Sequence, residues 1–149
     1  MTKSKLLILA AAPALVLCSC AKKCSFEDFQ KKVSEIEKAP KITEITVKGY
    51  AKSEGETIEV EKTTVKVGEI PTTEEAAKAY MLATVMAAMN VVEFAIVEDP
   101  DLTYYAGSTF KVKSEEATIE WDKYGNCTSI EGEMEGSEVD ISASYTYAD

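Results

Sequence analysis

The C-terminal third of the chain consists of short segments in which apolar and polar side chains alternate, and turn residues separate these segments. We predict five strands here, at 102–106, 108–114, 117–123, 127–134 and 138–147. The reversals between them are marked by Gly107, Glu115-Glu116, Gly125-Asn126 and Gly136-Ser137. This pattern is typical of an antiparallel meander, and it restricts the chain to folds that contain one.

A long hairpin is predicted upstream of the meander. Apolar and polar residues alternate through 45–52 and continue on the other side of a turn at 53–56. The second strand changes phase between Val60 and Val65, and a period of two residues cannot absorb such a shift. We therefore expect a β-bulge or bend near 62–64, which would help the sheet to curl.

Two helices are predicted as well. Ser25 as N-cap precedes apolar residues spaced by three and four, which indicates a helix over 26–38. Thr72 as N-cap and the acidic residues after it begin a second helix, which is apolar almost all round from 76 to 97. Because Asn90 interrupts this helix and acids flank it, we expect it to be enclosed by the curved sheet rather than by a membrane. The pattern leaves open whether the helix breaks at Asn90, with the following residues forming a strand.

Helix, hairpin, helix and meander together predict an α+β fold. One curved antiparallel sheet of about seven strands would pack on or around the two helices. Residues 25–149 contain enough apolar side chains for one core, and the sequence has no internal repeat. We therefore expect a single globular domain.

The composition excludes several kinds of chemistry. The chain has no histidine and its 16 basic residues are all lysine, so it lacks the Ser-His-Asp triad, imidazole metal sites and the arginine fork. Its formal charge of -10 argues against a nucleic-acid partner, because such partners require basic surfaces. We expect a non-catalytic protein that needs no cofactor.

The N-terminus has the features of an export signal. Lys3 and Lys5 precede a twelve-residue apolar run from Leu6 to Leu17. The run is shorter than the roughly 20 residues that cross a bilayer as a helix. It ends in Leu17-Cys18-Ser19-Cys20, which resembles the lipobox of bacterial lipoproteins.

This resemblance implies a lipid-anchored protein on the extracytoplasmic face of a bacterial membrane. Residues 1–19 would be removed as a signal peptide, and Cys20 would be acylated and become the N-terminus. Residues 20–24 would then serve as the lipidated anchor and a short tether. Cys18 fits less well, because Leu17 is large where a small residue is wanted. The alternative is an ordinary signal peptide or a short membrane anchor.

Cys24 and Cys127 are a candidate disulfide pair. After removal of the signal peptide and acylation of Cys20, they are the two remaining thiols of an exported protein, where disulfides persist. The alternative is two separate thiols, and the sequence does not distinguish the two. A catalytic role for Cys127 is disfavoured, since only Lys123 lies near enough in sequence to lower its pKa.

Glu131, Glu133 and Glu135 alternate along a predicted strand and therefore share one face. Carboxylate oxygens suit calcium, and the turn at 98–101 carries further carboxylates. The order of acids and glycine that defines an EF-hand is absent, however, and acids on an exposed strand usually form a solvated face. We predict the solvated face and no metal site.

The succession of elements resembles the half-barrel of lipid-carrying lipoproteins and lipoprotein chaperones of the LolA and LppX type. The segments 104–112 and 121–125 are also similar to small lipoproteins of low-GC bacteria. The half-barrel resemblance implies that the concave sheet face and the second helix hold an apolar ligand, such as a lipid or an acyl chain. The candidate pocket residues are Tyr50, Met81, Val85, Met89, Phe110 and Trp121. The alternative is an envelope-structural or protein-interaction lipoprotein whose core is full, and an enzyme is the third hypothesis.

Overall fold

Within residues 21–149, which the computed structural model describes, the fold consists of two helices and eight strands. The helices are α1 (Phe26–Ser34) and α2 (Glu74–Ala87), and a 3-10 turn follows at Val91–Phe94. The strands are β1 (Lys22–Cys24), β2 (Ile42–Ser53), β3 (Glu56–Lys66), β4 (Thr103–Ala106), β5 (Phe110–Lys113), β6 (Ala117–Trp121), β7 (Cys127–Met134) and β8 (Ser137–Tyr147). The predicted signal peptide at 1–19 and the lipidation site Cys20 lie outside the described residues.

The strands form one antiparallel sheet in the order β1-β4-β5-β6-β7-β8-β2-β3. Strands β4 to β8 are neighbours in space as they are in sequence, which confirms the predicted meander, and their ends differ from the prediction by at most two residues. Strand β8 then pairs with β2, so the β2–β3 hairpin extends the meander at its far side. The sheet is curved and unclosed, and the α+β prediction is confirmed, with eight strands instead of about seven.

Two local features bend the hairpin. The register of β2 against β3 shifts between Val47 and Gly49, so that Glu61 and Lys62 of β3 face a single residue of β2. This bulge overlaps the position predicted from the change of phase. Gly49 itself has a φ of 124°, and a Cβ atom there would lie 1.9 Å from the carbonyl oxygen of Asp140. Strand β8 approaches β2 this closely because residue 49 is glycine.

The core lies between the two helices and one face of the sheet. A row of buried side chains crosses strands β5 to β8, formed by Val112, Ile119, Ile130 and Ile141. From α1, the ring of Phe29 packs against aromatic rings of β4, β5 and β6 at centroid distances of 4.9–6.5 Å. From α2, the buried side chains are Ala79, Leu82, Ala83 and Met86. The described residues bury no polar or charged side chain in this core, which leaves the polar positions of the strands to the outer face.

The first two elements differ from their predicted form. Lys22–Cys24, within the segment 20–24 predicted as anchor and short tether, is a strand that pairs with Tyr104–Ala106. The backbone of β4 offers hydrogen-bonding groups at the edge of the sheet, and the extended chain satisfies them. Helix α1 is shorter than predicted and ends at Ser34, where Glu35 donates its backbone N–H to carbonyls of the last turn.

Helix α2 also has other bounds than predicted. The hydroxyl oxygen of Thr73 accepts a hydrogen bond from the Ala76 N–H at 3.0 Å, so Thr73 rather than Thr72 is the N-cap. The helix ends at Ala87, and the chain beyond Asn90 forms a 3-10 turn, neither a continued helix nor a strand. In the part of the chain that the structure describes, no helix has both the length and the apolar character needed to cross a bilayer.

Candidate binding surface

The six candidate pocket residues do not converge on one pocket. Phe110 and Trp121 are 3% and 1% exposed and belong to the filled core, and Met89 is partly buried beside it. Tyr50 lies on the opposite face of the sheet, where its hydroxyl donates a hydrogen bond to Glu138 Oε2 at 2.6 Å. The remaining two candidates, Met81 and Val85 of α2, are exposed to solvent. The predicted pocket between the concave sheet face and α2 is therefore wrong, because core side chains fill that space.

The most prominent clefts lie on the outside of the domain. Their volumes range from about 210 to 640 Å³, and all of them open to solvent. Their walls include neither Trp121 nor Phe29, the two largest fully buried side chains of the core. The largest cleft lies between the 99–102 turn and the 114–116 turn and is lined mainly by carboxylates. None of these clefts has the enclosed shape that would surround an apolar ligand.

The exposed apolar side chains are concentrated on and around α2. The eight large apolar residues with the greatest exposure in the described chain are Val67, Ile70, Tyr80, Met81, Val85, Val92, Ile96 and Val97. All eight fall within one stretch of 31 residues, although the described chain has 129. Such clustering is unusual for a monomeric domain, where large apolar side chains on the surface are normally scattered singly.

One exposed face of α2 forms the centre of this cluster, and we call it the apolar strip. It consists of Ala77, Tyr80, Met81, Thr84, Val85 and Ala88, which are all exposed. Their spacing of three and four residues places them in a row along one side of the helix. The row contains no charged residue, and its one polar side chain is satisfied locally, since the Thr84 hydroxyl donates to the Tyr80 carbonyl at 2.9 Å.

Helix α2 therefore has two apolar faces, of which the sheet covers one. The covered face packs mainly on β3 and β2, while the strip on the other side is exposed, with Tyr80 bordering Ile70 and Pro71 at a cleft. The expectation that the curved sheet encloses this helix is wrong. A single-layer sheet covers a helix on one side only, and neither α1 nor any loop folds over the second side.

The apolar surface continues beyond both ends of the strip. At the N-terminal end, Ile70 is 85% exposed and forms a shallow cleft of about 210 Å³ together with Pro71 and Tyr80. At the C-terminal end, Val92 and Ile96 are 53% and 62% exposed in the segment after the helix. The exposed surface is thus longer than the helix that carries its centre.

The C-terminal end of α2 is anchored to the sheet. The indole N–H of Trp121 donates a hydrogen bond to the carbonyl of Met89, two residues beyond the last residue of α2. Two residues later the Val91 N–H donates to the Gly125 carbonyl at 3.2 Å. The strip is therefore carried by a helix whose end is bonded to the core, which makes it a preformed surface.

The residues around the strip are acidic. Five exposed carboxylates lie between positions 67 and 98: Glu69, Glu74, Glu75, Glu93 and Glu98. The same stretch contains one lysine, Lys78, whose Nζ lies 3.5 Å from Glu74 and 3.9 Å from Glu75. Five acids and one base give this stretch a formal charge of -4. The uncharged strip thus belongs to a stretch with an excess of exposed carboxylates, which we call its anionic rim.

No protein-family model, curated protein or solved structure matches this chain.

The two cysteines of the described chain are free thiols. Cys24 lies on β1 and Cys127 begins β7, with three strands between them. Four strand spacings amount to roughly 19 Å along the sheet, whereas a disulfide requires Cα atoms within about 7 Å. The candidate disulfide is therefore not formed, and the structure has the two separate thiols of the alternative.

Neither thiol is placed for catalysis. Burial raises the pKa of the Cys127 thiol to about 12, and this side chain is 1% exposed. Burial, and then the nearby Asp28 carboxylate, raise the pKa of the Cys24 thiol. Since the thiolate is the reactive form, both thiols are poor nucleophiles at neutral pH.

The acidic strand residues lie on the outer face of the β7–β8 hairpin. Glu131 is opposite Asp140, and Glu133 is opposite Glu138, so like charges face each other across the two strands. Glu135 does not continue this row, because it lies in the hairpin turn with a φ of 52°. Within residues 21–149 no group of three or more acidic or cysteine side chains is arranged to hold a metal ion.

Met81 and Val85 were predicted from the sequence as residues of an interior pocket, whereas both are exposed. The signal for a surface role was present in the sequence, because α2 is apolar on more sides than one sheet layer can cover. The missing information was which side the sheet would leave open. That depends on the direction from which β2 and β3 approach the helix.

Proposed function

We propose that the protein is a lipid-anchored, non-catalytic binding module on the extracytoplasmic face of a bacterial membrane, and that the apolar strip is its contact surface. The observation that carries this proposal is the uncovered apolar face of α2 beside a filled core. A surface of this kind is normally a site of interaction, because leaving it in water costs free energy.

The filled core favours a protein partner over an enclosed small ligand. Sites for small apolar molecules usually bury about 70–90% of the ligand surface. The strip is convex and its neighbouring clefts are open, so a lipid or acyl chain lying on it would remain largely in water. A protein partner of complementary shape would cover the strip and exclude water. The interaction hypothesis from the sequence is therefore the better supported of the two.

The proposed absence of catalysis is supported by the side chains that the chain has to offer. It contains no histidine and no arginine, and the pKa values of both described thiols are raised. Most carboxylates are exposed, and the cleft between the 99–102 and 114–116 turns, which gathers several of them, is open to solvent, so no carboxylate is set apart as an acid or a base.

The proposed anchor is supported by the lipobox-like sequence at 17–20. With Cys20 acylated, the lipid would be attached directly before β1, at one edge of the sheet. Helix α2 packs chiefly on β3 and β2, at the other edge. Anchor and strip would then lie at opposite ends of an eight-strand sheet, roughly 34 Å apart along its surface.

Two experiments test this proposal. Metabolic labelling with a radioactive fatty acid should label the full chain and fail on Cys20→Ala, which should also leave the membrane fraction. For binding, an anilinonaphthalene dye should fluoresce on residues 21–149, which contain every described element of the sheet and its core. The double variant Met81→Gln/Val85→Ser should lose most of this signal, while Thr57→Gln on the outer face of β3 should keep it. Equal dye binding by all three chains would contradict the strip as the contact surface.

A further inference from the structure

We infer that the partner of the apolar strip is a cationic amphipathic helix of another protein. This inference deepens the proposed function and rests on it. It names the chemistry of the partner, which the proposed function leaves open.

A partner must bind the strip through its side chains and not through its backbone hydrogen-bonding groups. Within α2 the peptide N–H groups beyond the first turn are used inside the helix, so an extended segment cannot add to it as a strand adds to a sheet edge. The strip spans 77–88, a length of roughly 17 Å at the rise of an α-helix. A partner that matches a straight row of this kind is a second helix with apolar residues spaced by three and four.

The relief of the strip also suits a helix. Ala77, Thr84 and Ala88 are small, whereas Tyr80, Met81 and Val85 project further. Small positions between larger ones form the grooves that receive the ridges of a second helix. The flexible thioether of Met81 adapts to different partner side chains. At the N-terminal end, the cleft beside Ile70 and Tyr80 offers room for one further apolar side chain.

The rim determines the charge of the partner. The stretch from 67 to 98 has a formal charge of -4, and residues 21–149 carry 14 lysines against 26 acidic residues, a formal charge of -12. Lysine or arginine residues on both sides of the partner's apolar face would meet the rim carboxylates. Such complementarity raises association rates and selects against anionic partners.

The same charges argue against two other occupants of the strip. A second copy of this chain would bring its own anionic rim against the first, along with the formal charge of -12 on its own residues 21–149. A bilayer with anionic headgroups would be repelled by Glu74, Glu75 and Glu93, which are exposed on the same stretch of chain as the strip. A basic helix is the occupant that gains from both the apolar row and the rim.

The experiment uses three designed helical peptides of about 16 residues, long enough to form helix on binding. They share one leucine face and differ in their flanks, which are lysine, glutamine or glutamate. Binding to residues 21–149 is measured by fluorescence anisotropy at about 0.05 M and about 0.5 M salt. Charge interactions between peptide and protein are weakly screened at the lower concentration and strongly screened at the higher one. We expect the lysine peptide to bind at least about tenfold more tightly than the glutamine peptide at low salt, and the difference to shrink at high salt.

Matched variants separate the apolar contribution from the charge contribution. Met81→Gln/Val85→Ser, which changes no charge, should weaken the lysine peptide by about tenfold or more, since hot-spot positions carry most of the affinity. Glu93→Gln/Glu98→Gln should weaken the lysine peptide several-fold at low salt and leave the glutamine peptide unchanged. Glu131→Gln/Glu133→Gln removes the same number of charges from the outer sheet face and should have a smaller effect.

The results that would contradict the inference can be told apart from those that would contradict the proposed function. If none of the peptides binds and the strip variants equal the parent chain, the proposed function fails together with this inference. If the lysine and glutamine peptides bind equally at both salt concentrations, the cationic partner is refuted while the strip remains a contact surface. Self-association that disappears in Met81→Gln/Val85→Ser would instead assign the strip to a second copy. Co-sedimentation with phosphatidylglycerol vesicles that depends on the same two residues would assign it to the membrane.

Discussion

At the scale of single residues, the polar atoms of side chains in the core and along its border are hydrogen-bonded. Trp121 donates to the end of α2, and Tyr145 donates to the Cys127 carbonyl at 2.5 Å. The Tyr147 hydroxyl donates to Asp122, whose other oxygen accepts from the N–H of Asn126 at 3.0 Å. In the described chain no buried side-chain nitrogen or oxygen is left without a partner. The interior is therefore specified by hydrogen bonds as well as by apolar contacts.

Cys127 predicts a loss of stability at alkaline pH. Its folded pKa of about 12 exceeds the ordinary value of 9.0, because the buried site disfavours the thiolate. The unfolded chain therefore releases this proton at lower pH than the folded chain does. The contribution is fully present below about pH 9 and is lost as the pH rises towards 12. Burial raises the pKa values of Tyr145 and Tyr147 as well, and they act in the same direction.

Urea unfolding of the parent chain and of Cys127→Ala between pH 7 and pH 10, with a reductant present, measures this effect. The variant should be less stable at pH 7, because it leaves a small cavity, and the difference should narrow as the pH rises. In parallel, iodoacetamide should modify Cys127 only in the unfolded chain. A difference that is constant with pH, or rapid alkylation of the folded chain, would contradict the buried neutral thiol.

We expect a large loss of folding stability when one methyl group is added at Gly49. Gly49→Ala would place a Cβ atom 1.9 Å from the Asp140 carbonyl oxygen at a φ of 124°. We expect the free energy of unfolding to fall by about 3 kcal/mol or more, since β2 and β8 would have to separate locally. Gly55→Ala is the control, because its φ of 85° is also positive while nothing lies within 4 Å of a Cβ atom there, so it carries the backbone strain without the clash. Chemical denaturation should find the loss at position 55 much smaller than the loss at position 49.

At the scale of elements, the β7–β8 hairpin and α2 each carry a feature that does not serve stability. On the hairpin, Glu131 faces Asp140 and Glu133 faces Glu138, and like charges in directly opposite positions repel. On α2, the apolar strip remains in water. The strip has a role in the proposed function, whereas nothing in the structure explains the facing carboxylates beyond their keeping this surface hydrated.

Because Glu133 faces Glu138 across β7 and β8, we expect that reversing the charge at Glu133 stabilises the protein. Glu133→Lys would place a lysine opposite Glu138 and should raise the free energy of unfolding by about 0.5 kcal/mol. Glu120→Lys is the matched control, because Glu120 faces Lys111 and the same change there creates a repulsive pair. Thermal unfolding should shift the melting temperatures of the two variants in opposite directions. A shift of the same sign in both would mean that overall charge, and not the cross-strand pairs, governs stability.

At the scale of the whole molecule, the excess of negative charge is barely compensated within the fold. The ion pairs of the described residues are Lys66 with Glu69 and Lys78 with Glu74 and Glu75, all at 3.5–4.0 Å and on the surface. Exposed pairs of this kind contribute little. The remaining carboxylates repel one another across a surface with a formal charge of -12.

The molecule should therefore become more stable as salt is added. Raising sodium chloride from about 0.01 M to about 0.2 M shortens the Debye length from roughly 30 Å to below 10 Å, which screens this repulsion. We expect the melting temperature of residues 21–149 to rise by roughly 2–5 °C. Calorimetry measures the shift, and sodium sulfate at equal ionic strength separates screening from the general salting-out effect. A melting temperature that falls with sodium chloride would show that attractive pairs outweigh the repulsion.

The sequence by itself determined the local structure of this protein. Alternation in the last third of the chain predicted the meander, and the change of phase between Val60 and Val65 predicted the bulge. These features depend on the side-chain period of a strand and on turn residues, so neighbouring residues suffice to predict them. The predicted helices were confirmed as elements, although their ends depend on single capping bonds, such as the one at Thr73.

Only the tertiary structure decided which surfaces are covered. Lys22–Cys24 became a strand because β4 offered an open edge, and the two cysteines stayed apart because three strands separate them. Helix α2 could have buried either apolar side, and the sheet reached it from the side of Leu82 and Met86. The apolar strip is what remained. Burial is a property of distant segments meeting in space, and no local pattern of residues contains it.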